Sequence, residues 1–181
     1  SRNKLATEMP WYGAVVWSGH GRQRMYCCQW DHKRCCWELP KGGMETWRRT
    51  SNAPDSSPFA TARCELWEEA GIWLQWRQRK DFQWVSPEGV ALLLGPDPRQ
   101  PAFVVTELHV GEDDDEVVDC CRRQWMTLED CERNLLRSDH LQLLQHLDCQ
   151  ANAAPRSPSD AKRQHDGPES TAKRRRGGPE A

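Results

Sequence analysis

Residues 59–73 constrain this chain more than any other stretch. Glu65, Glu68 and Glu69 recur there at spacings of three and four, so a helix would set them on one stripe. Phe59, Ala62, Leu66, Ala70 and Trp73 recur at similar spacings, which predicts a second stripe that faces a core. Like charges one turn apart cost an isolated helix only ~0.2–0.5 kcal/mol per pair. A packed helix tolerates that cost and holds its acids in place. Fixed carboxylates suit hard cations, which take oxygen ligands. A merely solvated acidic face is the alternative reading.

The 181 residues predict one domain with extensions, large enough to bury a core. A net charge of −2 gives no global attraction to nucleic acid or membranes. No apolar run reaches the length of a membrane-spanning helix, and SRNKLATEMP shows no signal-peptide core. Nine cysteines is an odd number, which points away from a fully paired secreted framework and toward a reducing compartment. Cys27-Cys28 and Cys35-Cys36 could suggest zinc. Neighbours on a strand face opposite ways, however, so buried apolar thiols are the preferred reading.

Upstream, Trp37-Glu38-Leu39-Pro40-Lys41-Gly42-Gly43-Met44-Glu45 reads as a strand end running into a glycine turn. The turn, the Glu65-Leu66-Trp67-Glu68-Glu69-Ala70-Gly71-Ile72 segment and a later Arg123-Gln124-Trp125-Met126 together resemble the Nudix hydrolase family. Its signature is G-x5-E-x7-R-E-U-x-E-E-x-G-U, with U aliphatic. PKGGME and the Trp before the paired glutamates are most similar to the diphosphoinositol polyphosphate and diadenosine polyphosphate phosphohydrolase branch. The resemblance implies an α/β fold: an α/β/α sandwich with a mixed central sheet. It spans about residues 11–148, after an extension over 1–10.

That likeness implies Mg²⁺- or Mn²⁺-dependent hydrolysis of phosphoanhydrides in inositol pyrophosphates or dinucleoside polyphosphates. Glu65, Glu68 and Glu69 are the implied catalytic and metal-binding residues, with Glu65 the foremost general base. The Gly42 carbonyl is an implied further metal ligand, in a register that could also place it on Gly43. Glu116 is a candidate acid from a later segment, alongside Asp115 and Glu112, each also readable as part of a solvated loop. Lys33, Arg34, Lys41 and Arg123 are candidates to grip substrate, and Arg123 could equally serve an acidic side chain as a structural partner. Trp11 or Trp17 could offer a shelf to an adenine.

The sequence also departs from the signature. Gly43 and Cys64 lie 21 positions apart where the family has 14. Polar, turn-rich Trp47 through Ser57 reads as the insertion. Cys64 stands where the family has arginine, and Ser56 where it has the glutamate that pairs with that arginine. Asp55 and Arg63 keep the eight-residue spacing one position earlier. On a helix that shift turns a side chain by about 100°, so no clean replacement is expected. These departures motivate a second reading, a weak or inactive binding module. The tryptophans and basic tail motivate a third, an RNA-cap-directed protein.

Elsewhere, strands are predicted at Trp11–Trp17, Arg24–Trp30, Cys35–Leu39, Val90–Leu94 and Ala102–Val110, with a polar strand-like stretch over Trp73–Trp84. Ser57-Pro58 should start the acidic helix and Gly71 should stop it. Thr127 through Asp130 reads as a helix cap, and the leucines beyond it as helical with a break at Ser138-Asp139. Residues 149–181 are predicted to be a disordered tail. Lys162-Arg163 and Lys173 through Arg176 there resemble a bipartite nuclear import signal, or a generic basic tail. The expected partner is a polyphosphorylated small molecule, with an import receptor for the tail and no membrane. Cytoplasm or nucleus is the expected location.

Overall fold

The structure is a computed structural model that describes residues 9–20, 23–75, 82–111, 114–134 and 136–153. In chain order its elements are β1 (Trp11–His20), β2 (Gln23–Asp31), β3 (Cys36–Glu38), β4 (Lys41–Gly43), α1 (Pro58–Ala70), β5 (Ile72–Trp73), β6 (Gln83–Val85), β7 (Ala102–Glu107), β8 (Glu116–Val117), β9 (Arg123–Met126), α2 (Leu128–Arg133) and α3 (Ser138–Ala153). Glu112, the import-like basic clusters and the tail from 154 onward lie outside the described residues. Residues 149–153, expected in the tail, instead complete α3.

Strand β1 is the hub. It pairs antiparallel with β2 and β4 and parallel with β7, while β6 lies beyond β7 at the sheet edge. The sheet is therefore mixed, as expected. Side chains alternate across a strand, and the two cores follow that alternation. Tyr12, Ala14, Val16 and Cys27 pack with Phe59, Ala62, Leu66 and Ala70 of α1. Val15, Tyr26 and Cys28 pack with Cys131, Leu143, Leu144 and Leu147 on the other face. Helix α1 thus covers one side of the sheet, and α2 with α3 cover the other. The neighbouring thiols of Cys27 and Cys28 go to opposite cores, as strand geometry requires.

Local chemistry sets the ends of α1. Ser57 is extended, and its hydroxyl accepts from the Ala60 amide at 3.1 Å, with Pro58 opening the helix. Gly71 closes it in the left-handed region at φ 67°, its amide reaching the Leu66 and Trp67 carbonyls. A capping box between Thr127 and Asp130 starts α2, and the helical leucines break before Ser138. One strand expectation fails. Val90–Leu94 is a turn region joined to β6 only by an Ala91 bridge. Leu92 bonds Trp84 and packs on the core, but Leu93 and Leu94 are 94% and 103% exposed, so pairing stops after the one bridge. In the Trp73–Trp84 stretch the described ends are the short β5 and the start of β6.

The glycine turn is held from both sides. Gly13 lies beneath it, and a Cβ there would meet the Pro40 carbonyl at 2.6 Å and the Lys41 Cβ at 2.7 Å. The Ala14 amide donates to that Pro40 carbonyl at 3.0 Å. From α3, His140 Nδ1 accepts from the Leu39 amide at 3.0 Å, while its ring meets Phe103 edge-on. That bond makes Nδ1 the unprotonated nitrogen.

Burial pushes the His140 pKa down to about 3 from an ordinary 6.5. The unfolded chain takes up this proton near 6.5 and the folded chain refuses it, so stability present at pH 7 is lost as pH falls through that window. His140→Gln should remove this part of the pH dependence. Urea unfolding at pH 7 and pH 5 should show the unsubstituted protein losing about 2 kcal/mol more between the two than the variant does.

Candidate functional site

Helix α1 presents its acids to the glycine turn. Glu65 is only 8% exposed, although it is charged and lies on a helix surface. Its carboxylate sits against Gly42 so closely that a Cβ on that glycine would run into it. Glycine at 42 is therefore a requirement of close approach. One turn on, Glu69 Oε2 accepts from the Lys41 amide at 3.0 Å. Glu68 Oε1 accepts from the Thr50 hydroxyl, a contact made by the inserted segment. Each of the three acids thus meets the turn or the inserted segment.

Arg48, from the segment read as a polar insertion, lies among them. It is 1% exposed, and a bridge between Arg48 and Ala53 folds its loop back on itself. Its Nε donates to Asp55 at 2.9 Å, and Nη2 to Asp55 at 2.7 Å and to the Gly43 carbonyl at 3.1 Å. Nη1 donates to Glu65 Oε1 at 2.8 Å and Glu68 Oε2 at 3.1 Å. A guanidinium has five N–H donors in a planar fork, and these contacts engage all of them. Asp55 also accepts from the Glu45 amide at 2.9 Å and the Thr61 hydroxyl at 3.1 Å. Arg63 takes no part in this network. Its guanidinium lies 4.2 Å over the Trp73 ring, as a turned helix position should.

The charges respond to this packing. Burial works against the Asp55 charge most strongly, but the hydrogen bonds from Arg48, the Glu45 amide and Thr61, with the Arg48 charge, together outweigh it and hold the carboxyl below its usual range. Burial raises Glu65 despite Arg48. Burial raises Glu69 to about 8, with the Lys41 amide pulling the other way and the charges of Glu65 and Glu38 adding to the rise. No hydrogen bond among the described residues ends on Glu65 Oε2 or Glu69 Oε1. These oxygens belong to residues one helical turn apart.

A divalent cation is the group the resemblance implies here. No three His, Cys, Asp or Glu side chains are drawn into a ready metal cluster among the described residues. The donor chemistry nevertheless fits. The oxygens are hard, two of them are left over, and the buried acids carry more negative charge than Arg48 alone balances.

The other expected residues are scattered. Glu116 is exposed on β8, opposite Trp73 and past the C-terminal end of α1. Asp115 is buried and accepts from the Gln75 and His109 amides, which marks a structural role. Arg123 donates to the Ala70 carbonyl at 2.7 Å and the Val118 carbonyl at 2.8 Å, so it caps the end of α1, and among the described residues it serves backbone and no acidic side chain. Arg34 pairs with Glu38 and Asp31, and Lys33 is exposed on the same loop. Lys41 lies over the Trp11 ring at 5.0 Å, and Arg24 over Trp17 at 3.8 Å. Each aromatic shelf therefore already carries a cation on one face.

Sequence reasoning missed Arg48 and the true partner of Asp55. Arg48 and Asp55 lie seven residues apart with the arginine first, where the signature's supporting pair is eight apart with the acid first. The available signal was electrostatic: buried acids without their usual arginine need a cation from elsewhere.

No family model matches the chain, and no curated protein sequence is similar enough to count as a relative. Solved structures do share its fold. The Caenorhabditis elegans Ap4A hydrolase superposes over 79% of this chain and 98% of its own, with a TM-score of 0.52 at 14% identity. RenU, a Nudix hydrolase from Mycobacterium smegmatis, covers 81% of this chain and 88% of its own, with a TM-score of 0.51 at 17% identity. The chain has the Nudix fold, and at these identities the likeness extends to fold alone.

Glu69 yields a test of the site's electrostatics. Its folded pKa of about 8 lies above the ordinary 4.5, so stability present below 4.5 is lost as pH rises toward 8. In metal-free buffer, Glu69→Gln should stabilise the protein by ~1–3 kcal/mol at pH 8 and by almost nothing at pH 4.5, as read from urea unfolding.

Proposed function

We propose that this protein is a divalent-cation-dependent hydrolase of phosphoanhydride bonds. Inositol pyrophosphates and dinucleoside polyphosphates are the candidate substrates. One observation carries this reading: Glu65 and Glu69 are held, half-stripped of water, against the glycine turn, each with an oxygen to spare. Burying acids in this way destabilises a fold, so a site that keeps them needs a reason beyond folding. Coordination of a cation is such a reason.

Glu65, Glu68 and Glu69 would hold the ion, with the Gly42 carbonyl beside them. A bound Mg²⁺ would polarise the phosphoryl oxygens and lower the pKa of a coordinated water. The remaining chemistry falls to the chain's own groups. Glu65, with its pKa raised, suits a base that accepts a proton from the attacking water. Lys41 lies beside the turn, where its charge can meet the polyphosphate. The fold likeness to an Ap4A hydrolase supports dinucleoside polyphosphates as the first substrates to try. The extra cations around Glu38, namely Arg34, Lys41 and Arg137, support inositol pyrophosphates as the second.

A second reading is favoured by Cys64 and by the guanidinium shared between Glu65 and Glu68. Here the fold binds polyphosphates without turning them over.

Purified protein with Mg²⁺ or Mn²⁺ should release phosphate or nucleotide from one of these substrate classes. Glu65→Gln and Glu69→Gln should each lower turnover by ~100-fold or more. Exposed Arg49→Ala should leave it unchanged. Binding without turnover in the unsubstituted protein would select the second reading.

A further inference from the structure

We infer that Arg48 is the positioning residue of this site, delivered by the inserted segment to the post left vacant by Cys64. This rests on the cation-dependent reading above. In the signature the arginine just before the first glutamate works from within the helix. Here that position is a thiol, 2% exposed, packed inside the protein. Thr61 lies one turn before Cys64 on the same helix face and donates to Asp55 at 3.1 Å, the carboxylate that Arg48 also binds. The helix position and the inserted arginine thus address one place from two directions.

The contacts divide in a way that suits support of a cation site. Three of the five donors bind Asp55 and the Gly43 carbonyl. These fix the guanidinium to the loop and to the turn, away from the reacting groups. The other two reach one oxygen each on Glu65 and Glu68. Glu65 Oε2 is left over, and Glu69 is not touched by Arg48 at all. The guanidinium therefore sets the rotamers of two acids without consuming the site. It also ties the Gly43 carbonyl to the helix acids, so one guanidinium joins turn and helix. Neither neighbouring arginine can do this: Arg49 is exposed and Arg63 lies on Trp73.

The test compares full-length Arg48→Met, Arg48→Lys and Arg48→Met with Cys64→Arg, using Arg49→Ala as control. Mn²⁺ uptake is measured by titration calorimetry and electron paramagnetic resonance, with circular dichroism to check folding. Losing a group that orients metal ligands weakens a site by ~10–100-fold. Arg48→Met should show that loss, and Arg48→Lys, a point charge without the fork, should recover only part of it. Arg48→Met with Cys64→Arg should recover most of it, because an arginine at 64 lies on the helix face from which Thr61 already bonds Asp55, beside the space that Arg48→Met vacates. Should Arg48→Met fail to fold, the comparison of Arg48→Lys with the double variant decides. Uptake as tight as in the unsubstituted protein overturns the inference, and tighter uptake overturns it more directly, since the guanidinium would then be a competitor of the ion. A folded double variant that still binds weakly also overturns it. If the unsubstituted protein takes up no Mn²⁺, the cation-dependent reading itself falls, and this inference with it.

Discussion

A single guanidinium, buried to 1% exposure, balances the acids at the centre of this protein. Its partners Asp55 and Glu65 are buried too, so each would be costly without it. Breaking a buried ion pair from one side costs ~3–5 kcal/mol, because the remaining charge has no water to return to. The fit of five donors to five acceptors is what makes such burial tolerable. Asp55 gains from it and stays ionised. Glu69, out of its reach, accepts among the described residues from the Lys41 amide, and burial leaves it with a raised pKa. The same geometry therefore neutralises one end of the acidic stripe and leaves the other short of positive charge.

The turn facing that stripe is equally determined. Gly13 removes the side chain that would block Pro40, and His140 holds Leu39 from the opposite layer. A neutral imidazole from α3 and an acid from α1 thus grip neighbouring residues, Leu39 and Lys41, across the sheet edge. Arg123, from β9, closes the carbonyls at the end of α1. Position and tilt of the acidic helix are consequently set by capping at both ends, and by apolar packing of Phe59, Ala62, Leu66 and Ala70 between them.

Much of this was legible in the sequence. Periodicity gave the two stripes of the acidic helix, Ser57-Pro58 and Gly71 gave its ends, and the apolar, β-rich run Trp11–Trp17 gave β1. What failed had physical causes. Val90–Leu94 looks like a strand by composition, but pairing depends on a neighbour that composition does not reveal. Arg123 carries a charge, and charge alone does not distinguish a substrate clamp from a cap on backbone carbonyls. Glu116 shares its segment with other acids, and its direction depends on the β5–β8 register. Arg48 was hidden most thoroughly. Its loop has the polar, turn-forming composition of an exposed excursion, and only the fold shows that one member turns inward.

That inward turn changes what the helix is free to be. With the positive charge supplied from a loop, position 64 no longer has to carry it, and a small buried thiol sits there. Charge balance around the acids is the durable demand, and the arginine of the usual motif is one of several routes to it. In a fold of this kind an excursion of the chain long enough to fold back can become the keystone of the site it interrupts, so its length is as much a part of the chemistry as the acids are.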